Sequence, residues 1–574
     1  MCDDIPMDVL FSEGSLSSTA PTSPSSSPLF RPSEIDDLKL SQSPQSRETL
    51  EGYTCTHVVE NVCVVGAGYV GGPTAAVLAL HNPNVKVEVL DRDPRRIQQW
   101  KSPHLPVHEP GLDDLVRSVR DDPENGSKYS TQRQPNLNFS CDSARVLAKA
   151  DIIFMAVNTP TKMFGVGAGC ATNMAAFDGA MRDVAAHAKP GAIIVEKSTV
   201  PGGTADRVRK MLSAHRPGVP FEVLSNPEFL AEGSAVQNLT VPDRVLIGSA
   251  ATPTGRQAAR TLAGLYAAWV PKERILETNT WSSELAKLVA NAMLAQRISS
   301  INSISAICER TGADVDQVAK AIGMDARIGP QFLKAGLGFG GSCFRKDIAS
   351  LAYLAESLGL DDVASYWRQV NTMNERQRDR FARKVIDRFE GNLVGHKLAI
   401  LGFAFKKNTG DTRESLAMEV IRSLLEERPA EIAIFDPYCR PEDIMRELEI
   451  ACPDISERGT IKLHTDPHLA CSQAHAVLVV TDCDQFRNTP GKKPRWTHNT
   501  SEPTASQTCS SDCTDCRSLS ARPTTSEPIE WPRIAYNMVE PKWVFDGRGL
   551  LDVAELEKLG VRVDSVGRRA TISN

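Results

Sequence analysis

The sequence predicts an α/β protein in which two strand-and-helix regions flank a long helical one. Three observations predict it. Short β-branched runs (VCVVG at 62–66, VKVEVLD at 85–91, DIIFMAV at 151–157 and AIIVEKS at 192–198) alternate with helical segments, as buried parallel strands joined by helices do. From about residue 280 the pattern is helical for over a hundred residues. Strands then return at KLAILGF (397–403), EIAIFDP (431–437) and HAVLVV (475–480).

Bulk properties narrow the function classes. A chain of 574 residues, 41% hydrophobic, has room for about two to four domains, each with its own core. A net charge of −6 and a pI near 6.1 argue against a polyanionic partner such as nucleic acid. No run of about 18 apolar residues occurs, so no membrane span is expected. The acidic start MCDDIPMDVL lacks a basic-then-apolar leader, which predicts a cytoplasmic protein. Fourteen scattered cysteines read as mostly reduced, buried thiols, and no metal site is expected.

Along the chain, residues 1–55 are rich in Ser and Pro (TAPTSPSSSPLF, SQSPQS) with few apolar residues, and read as a disordered tail. The first strand then leads into Gly66-Ala67-Gly68-Tyr69-Val70-Gly71, which opens a helical run, and Asp91 ends the second strand 20 residues past Gly71. A lone GxGxxG is weak, but strand, tight turn, helix, strand and acid together make a dinucleotide fingerprint. The glycines admit a pyrophosphate to the helix N-terminus, and Asp91 accepts from the adenosine ribose. A carboxylate there repels a 2′-phosphate, favouring NAD over NADP, although Arg92, Arg95 and Arg96 follow closely. A purely structural glycine turn is the alternative. The C-terminal α/β unit carries LGFAFK at the equivalent turn, without GxGxxG, which points to a different ligand.

In the helical region, Lys287 and Asn291 stand four apart in WSSELAKLVANAML and share a helix face. Leu285, Leu288, Val289, Ala292 and Met293 surround them, so the helix is expected to be buried nearly all round. A lysine held there must be paired or employed; a surface pair with Glu284 is an equally good reading. Farther on, Gly336, Gly338, Gly340 and Gly341 lead into Ser342-Cys343-Phe344-Arg345-Lys346-Asp347. The glycines mark a loop that lies close to a ligand. Cys343, at a helix N-terminus beside a lysine, is expected to have a stabilised thiolate and to act as a nucleophile. The ordinary reading of any one of fourteen cysteines is a buried structural thiol.

A Ser/Thr/Pro-rich stretch at 487–530 separates HAVLVV from KWVF (542–545) and reads as a disordered insertion looped out of a folded domain. Its Cys509-x3-Cys513-x2-Cys516 has the spacing of radical-enzyme cluster ligands, but lies outside any strand–loop–helix context and is set aside.

Taken together, GAGYVGGPT (66–74), VNTPTK (157–162), EKSTVP (196–201), NPEFLAEG (226–233), PDRVLIG (242–248), the long block 279–309, FLKAGLGFGGSCFRKD (332–347), GFAFKKNTGDTRES (402–415) and FDGR (545–548) resemble the UDP-glucose/GDP-mannose dehydrogenase family, most closely its UDP-glucose 6-dehydrogenase branch. The match spans roughly 58–486 and 530–566. It implies two Rossmann-like α/β domains joined by a long central helix: an NAD-binding domain at 56–278, a central helical and dimerisation domain at 279–392, and a UDP-binding domain at 393–568 that contains the insertion.

By matching position, the resemblance implies NAD contacts from Gly66, Ala67, Gly68, Tyr69, Val70, Gly71, Asp91, Arg96, Val157, Asn158, Thr159, Pro160, Thr161, Ser198, Thr199, Val200, Glu232, Lys346 and Arg413. It implies sugar-nucleotide contacts from Glu228, Phe229, Leu230, Ala231, Glu232, Lys287, Asn291, Lys334, Ala335, Gly336, Leu337, Gly338, Phe339, Gly340, Phe405, Lys406 and Arg548, with Arg327 reaching a neighbouring subunit's site. The implied chemistry is a two-step oxidation of UDP-glucose to UDP-glucuronate, which feeds polysaccharide and UDP-xylose synthesis. Asp347 acts as base, Lys287 and Asn291 stabilise the oxyanion, Cys343 carries thiohemiacetal and thioester, and Glu228 and Thr199 assist hydrolysis. A homo-oligomer is implied, a dimer at least, with a hexamer as the larger option. Asn408 departs from the family's usual acidic residue. Two alternatives stay open: a dehydrogenase of another nucleotide sugar, of GDP-mannose type, and a catalytically silent NAD- or nucleotide-sugar-binding regulator.

Overall fold

In a computed structural model of the protein, residues 59–107, 109–121, 134–453, 455, 459–488 and 528–569 are described. The tail at 1–55 and all but the ends of the insertion at 487–530, including Cys509, Cys513 and Cys516, lie outside the described residues.

The β-branched runs build two sheets. The first contains β1 (Asn61–Val65), β2 (Lys86–Leu90), β3 (Leu137–Ser140), β4 (Ile152–Met155), β5 (Ile193–Glu196), β6 (Glu222–Ser225), β7 (Val245–Ser249) and β8 (Ile275–Asn279). Their order is β3-β2-β1-β4-β5-β6-β7-β8, parallel throughout except where Ser225 of β6 meets Gly248 of β7. The second contains β9 (Lys397–Leu401), β10 (Glu431–Phe435), β11 (Ile461–His464), β12 (Ala476–Val479), β13 (Trp543–Asp546) and β14 (Arg562–Ser565), all parallel in the order β11-β10-β9-β12-β13-β14. Both sheets thus have the 3-2-1-4-5-6 doubly wound order, which opens a crevice at the strand C-termini where the order reverses.

Strands covered on both faces must be apolar on both, and these are. In β1, Val62 and Val64 enter one core while Cys63 and Val65 enter the opposite one. In β9, Leu398 and Ile400 divide from Ala399 and Leu401 in the same way.

Five helices position the site: α1 (Gly71–His81), α2 (Thr204–His215), α3 (Thr280–Thr311), α4 (Phe344–Ser357) and α5 (Asp361–Asp387). The 32 residues of α3 extend about 48 Å at the α-helical rise. Asn279 caps its start by accepting from the Ser282 N–H at 2.7 Å. Gly312, at φ +84°, ends it in the left-handed conformation that favours glycine.

The expectation that α3 is buried nearly all round is corrected here. Leu288 and Ala292 are buried, but Leu285 is 37% and Met293 51% exposed. The apolar run continues around the helix onto a face that α4 and α5 leave uncovered, and periodicity alone does not distinguish a covered apolar face from a bare one. Among the described residues no helix is long and apolar enough to cross a membrane.

Candidate active site

The turn after β1 has the shape of a dinucleotide cradle. Gly66 sits at φ +107°; a Cβ there would lie 2.4 Å from the Ala156 carbonyl oxygen, and one on Gly71 would lie 1.8 Å from the Gly66 oxygen. Gly68 has open space where its Cβ would stand. The outer glycines are therefore required by packing, while the middle one faces the cleft where a pyrophosphate approaches, so the residues present fit NAD. Asp91 holds the turn by accepting from Ala67 N at 2.8 Å. Among the described residues its other oxygen takes only Asp93 N, at 2.9 Å, which leaves acceptor capacity for a ribose hydroxyl.

Of the following arginines, Arg92 pairs with Asp183 at 2.8 Å and Arg96 lies 3.4 Å from Asp91. Across the crevice, Val157 to Thr161 follow β4 and Ser198 to Val200 follow β5. Ser198 donates to the Val157 carbonyl at 2.7 Å, and Thr159 to the Thr199 carbonyl at 2.7 Å, so the two segments form one wall.

The second α/β unit repeats the first down to its turn. Gly402 N donates to Phe435 O at 2.7 Å as Gly66 N donates to Leu90 O at 2.7 Å, and Asp436 stands where Asp91 does. Asp436, however, accepts from four backbone N–H groups, those of Phe403, Ala404, Tyr438 and Cys439, at 2.6–2.9 Å. With both oxygens saturated, it has nothing left to offer a ribose.

Between the units, α3 and α4 bring the charged groups together. Lys287, 3% exposed, lies 3.0 Å from Glu228 and 5.5 Å from the Phe229 ring centroid. Glu228 also accepts from Leu230 N at 2.7 Å. The surface pair of Lys287 with Glu284 is not formed; Glu284 turns instead to the start of α2. Asn291 donates to one Asp347 oxygen at 2.6 Å and Lys346 to the other at 2.7 Å.

Burial opposes charge on Lys287, but Glu228, Asp347 and Cys343 outweigh it and hold the ammonium above its ordinary value. Burial likewise raises Glu228, yet Lys287, the Leu230 N–H and Lys197 leave it below the carboxylate range. Cys343 caps α4 and is solvent-accessible. The expected thiolate stabilisation is corrected: desolvation in the cleft, then Glu228 and Asp347, push the thiol up to about 11 against Lys287 and Lys346. Desolvation, joined by the two carboxylates, outweighs the adjacent lysines.

The glycine-rich loop is strung between helices and the second unit. Gly336 N donates to Asn302 of α3 at 2.9 Å, Phe339 N to Asn374 of α5 at 2.9 Å, and Leu337 N to Gly547 O at 2.9 Å. Gly338, at φ +117°, would place a Cβ 2.2 Å from the Asn374 oxygen. Arg548 donates to Gly338 O at 3.0 Å and to Val480 O at 2.7 Å. Lys334 is exposed at the loop's mouth, Ala335 is buried, and Gly340 packs beside Phe405. Lys406 lies over the Phe405 ring.

Where the two units meet, Arg413 binds Asp411 at 2.5 Å and lies 3.6 Å from Glu232. Burial, then Asp411, push Glu232 up to about 8. Asn408 adopts φ +60°, a conformation Asn tolerates better than most residues, and its carbonyl abuts Gly233. Arg327 does not join this chain's site: its side chain is 89% exposed and pairs with Asp325.

Several residues escaped the sequence reading. Buried Lys197 donates to Asn226 at 3.1 Å and Tyr266 at 3.2 Å, and burial brings it down to about 8. Arg244 stacks 3.6 Å from the Phe229 centroid. Glu109 accepts from Gly233 N and Ala235 N. A charged Glu-Lys pair closing a fully apolar strand was the available signal for Lys197. Nothing in the sequence pointed to the other two.

Comparison with known proteins agrees with this geometry. The sequence models of the UDP-glucose/GDP-mannose dehydrogenase family match at 60–270 (NAD binding domain), 281–376 (central domain) and 399–503 (UDP binding domain). The chain is 44% identical over 514 residues to UDP-glucose 6-dehydrogenase of Drosophila melanogaster, covering 88% of this chain and 96% of that protein. It is 43% identical over 520 residues to the Mus musculus enzyme of the same name, covering 89% and 94%. Among solved structures, a UDP-glucose dehydrogenase from the hyperthermophilic archaeon Pyrobaculum islandicum superposes with a TM-score of 0.63 at 31% identity, covering 75% of this chain and 91% of that one.

Proposed function

The chain belongs to the UDP-glucose/GDP-mannose dehydrogenase family and is an NAD-dependent oxidoreductase, and we propose that it oxidises C6 of UDP-glucose twice, to UDP-glucuronate, through a thioester on Cys343. NAD, when bound in the cradle after β1, supplies the hydride acceptor for each oxidation.

In the first step Asp347 takes the C6 hydroxyl proton through water. Asn291 spends one amide hydrogen on Asp347, and Lys287 spends part of its donor capacity on Glu228. Each keeps a donor for the developing oxyanion, and such preorganised donors stabilise charge as it forms. In the second step the Cys343 sulfur bonds to the aldehyde carbon. Its thiol proton ends on the carbonyl oxygen, giving a thiohemiacetal. Loss of a hydride and the hydroxyl proton leaves the thioester. Water then attacks, the C–S bond breaks, and the sulfur regains a proton. Glu228 passes the water proton and Thr199 orders the water.

The observation that carries this reading is the convergence of Lys287, Asn291, Asp347 and Glu228 on the one cysteine that caps α4. A silent regulator has no need of the set. In Cys343→Ser, steady-state turnover is expected to fall by at least about 10³-fold, as when a covalent nucleophile is lost, while NAD binding persists. Wild-type turnover in that variant contradicts the mechanism.

The same reading makes the protein a homo-oligomer, a dimer at least. Supporting it, exposed Leu285, Met293 and Ile307 fall within about 80° of one another around α3, and Arg327 extends away from its own site. UDP-glucuronate made here would serve polysaccharide and UDP-xylose synthesis.

A further inference from the structure

Glu284 lies one turn ahead of Lys287 on α3 and is 2% exposed. Neither the NAD contacts nor the chemistry above uses it. Its two carboxylate oxygens accept from Gly203 N at 2.5 Å and Ala205 N at 2.8 Å. These amides open α2, whose cap position is Gly203 at φ +86°, with no side chain to satisfy them. Unpaired first-turn donors require a partner, and here the central helix supplies it.

The same turn of α3 makes a second attachment. Trp281 donates to Asp206 at 3.0 Å, and a Cβ on Gly202 would lie 2.9 Å from its indole ring. Behind Glu284 stands Glu196, at the end of β5 and 1% exposed; among the described residues neither of its carboxyl oxygens has a hydrogen-bond partner. Burial, then Glu284, push the Glu196 carboxyl well up. Burial raises the Glu284 carboxyl as well, against the Ala205 and Gly203 amides that favour its charged form. Asp206 and Arg209 of α2 are the other charged groups that face the pair.

We propose that Glu284 is a positioning residue: from the catalytic helix it clamps the segment from Ser198 to Gly203 and so keeps Thr199 in register with Lys287 and Asn291. The three α3 residues stand at i, i+3 and i+7, one stripe of one helix. Fixing the loop to that stripe means that the NAD-side wall and the oxyanion donors cannot shift independently. The link to hydrolysis rests on the reading of Thr199 as the residue that orders the water.

The test compares Glu284→Gln, Thr199→Ala and wild type by rapid-mixing NADH formation and by steady-state kinetics. Glutamine keeps one acceptor and turns an NH2 group toward an N–H. Losing one charge-assisted bond is expected to raise the KM for NAD about tenfold, with the KM for UDP-glucose within about threefold of wild type. Because hydrolysis follows both oxidations, Glu284→Gln and Thr199→Ala should each show a burst of two NADH per site before a slow phase.

A burst in Thr199→Ala beside a burst-free trace and unchanged NAD KM in Glu284→Gln overturns the proposal. If Thr199→Ala shows no burst, its role in hydrolysis fails, and the clamp is then decided by the NAD KM of Glu284→Gln alone: raised supports it, unchanged overturns it. Should Glu284→Gln fail to fold, Trp281→Phe, which removes the bond to Asp206 and trims the ring beside Gly202, replaces it. A shift of about threefold in NAD KM, in the same direction, supports the clamp, and a wild-type NAD KM overturns it.

Discussion

Replacing Lys287 by Met tests the charge arrangement at the centre of the site. Methionine fills a similar length but removes an ammonium that lies 3.0 Å from Glu228, with both side chains under 10% exposed. Two consequences separate. Loss of one preorganised donor to the oxyanion lowers kcat by about 10²–10³-fold. Breaking a buried pair costs about 3–5 kcal/mol of stability when the remaining charge is left alone, and here that cost depends on pH.

In the wild type, burial raises the Glu228 carboxyl, but Lys287, the Leu230 N–H and Lys197 together more than offset it, so the group is held low. Its contribution to stability is present above the unfolded pKa and is lost as pH falls through the lower folded value. Without Lys287, desolvation prevails and the carboxyl rises. The buried charge then destabilises the variant above the unfolded pKa and is relieved on protonation. Chemical denaturation of both proteins from about pH 4.5 to 8, with NADH formation at each pH, reads both effects. The stability deficit should be small at the acid end and grow to several kcal/mol at pH 8. A deficit independent of pH, or a kcat within about threefold of wild type, refutes the reasoning.

Other consequences are simpler to check. With its thiol pushed up to about 11, Cys343 should be alkylated by iodoacetamide ever faster as pH rises through the alkaline range, without a plateau near neutrality; a plateau below pH 8 contradicts the electrostatics. Gly71→Ala, which would drive a Cβ to 1.8 Å from the Gly66 oxygen, should abolish folding or NAD binding. Gly68→Ala, which has open space, should fold normally yet weaken NAD. Equal behaviour of the two variants, measured by melting and NAD titration, counts against the cradle. Buried Lys197 releases its proton at about 8 in the folded protein, against an ordinary 10.5, so the unfolded state holds more protons between those values. Stability should therefore rise with pH across that window, by up to about 3 kcal/mol. Lys197→Met should lack the rise.

What the sequence disclosed follows from how local each feature is. Strands buried on both faces announce themselves as apolar runs, and the cradle is written in adjacent residues, Gly66 to Gly71 with Asp91 one unit on. Lys287 and Asn291 could be placed on one face by helix period alone. Their partners could not, because Glu228 and Asp347 arrive from other elements, 59 and 56 residues away in sequence. Glu284 had an equal claim on Lys287 by spacing, and only packing against α2 shows it to be a cap. The exposure of Leu285 and Met293 depends on which neighbours cover α3. The thiol of Cys343 was judged from the helix and the adjacent lysine, both local, while the burial that chiefly raises it, and the Glu228 carboxylate that adds to it, come from the packed fold. Asp436 makes the same point in reverse: only hydrogen bonding distinguishes it from Asp91.

The central claim is two oxidations at one carbon through one cysteine, and complete conversion of a known amount of UDP-glucose with excess NAD tests it most directly. Two NADH for each UDP-glucose consumed, with UDP-glucuronate as product, is the predicted result. One NADH per UDP-glucose, with an aldehyde released, contradicts it and removes Cys343 from the reaction.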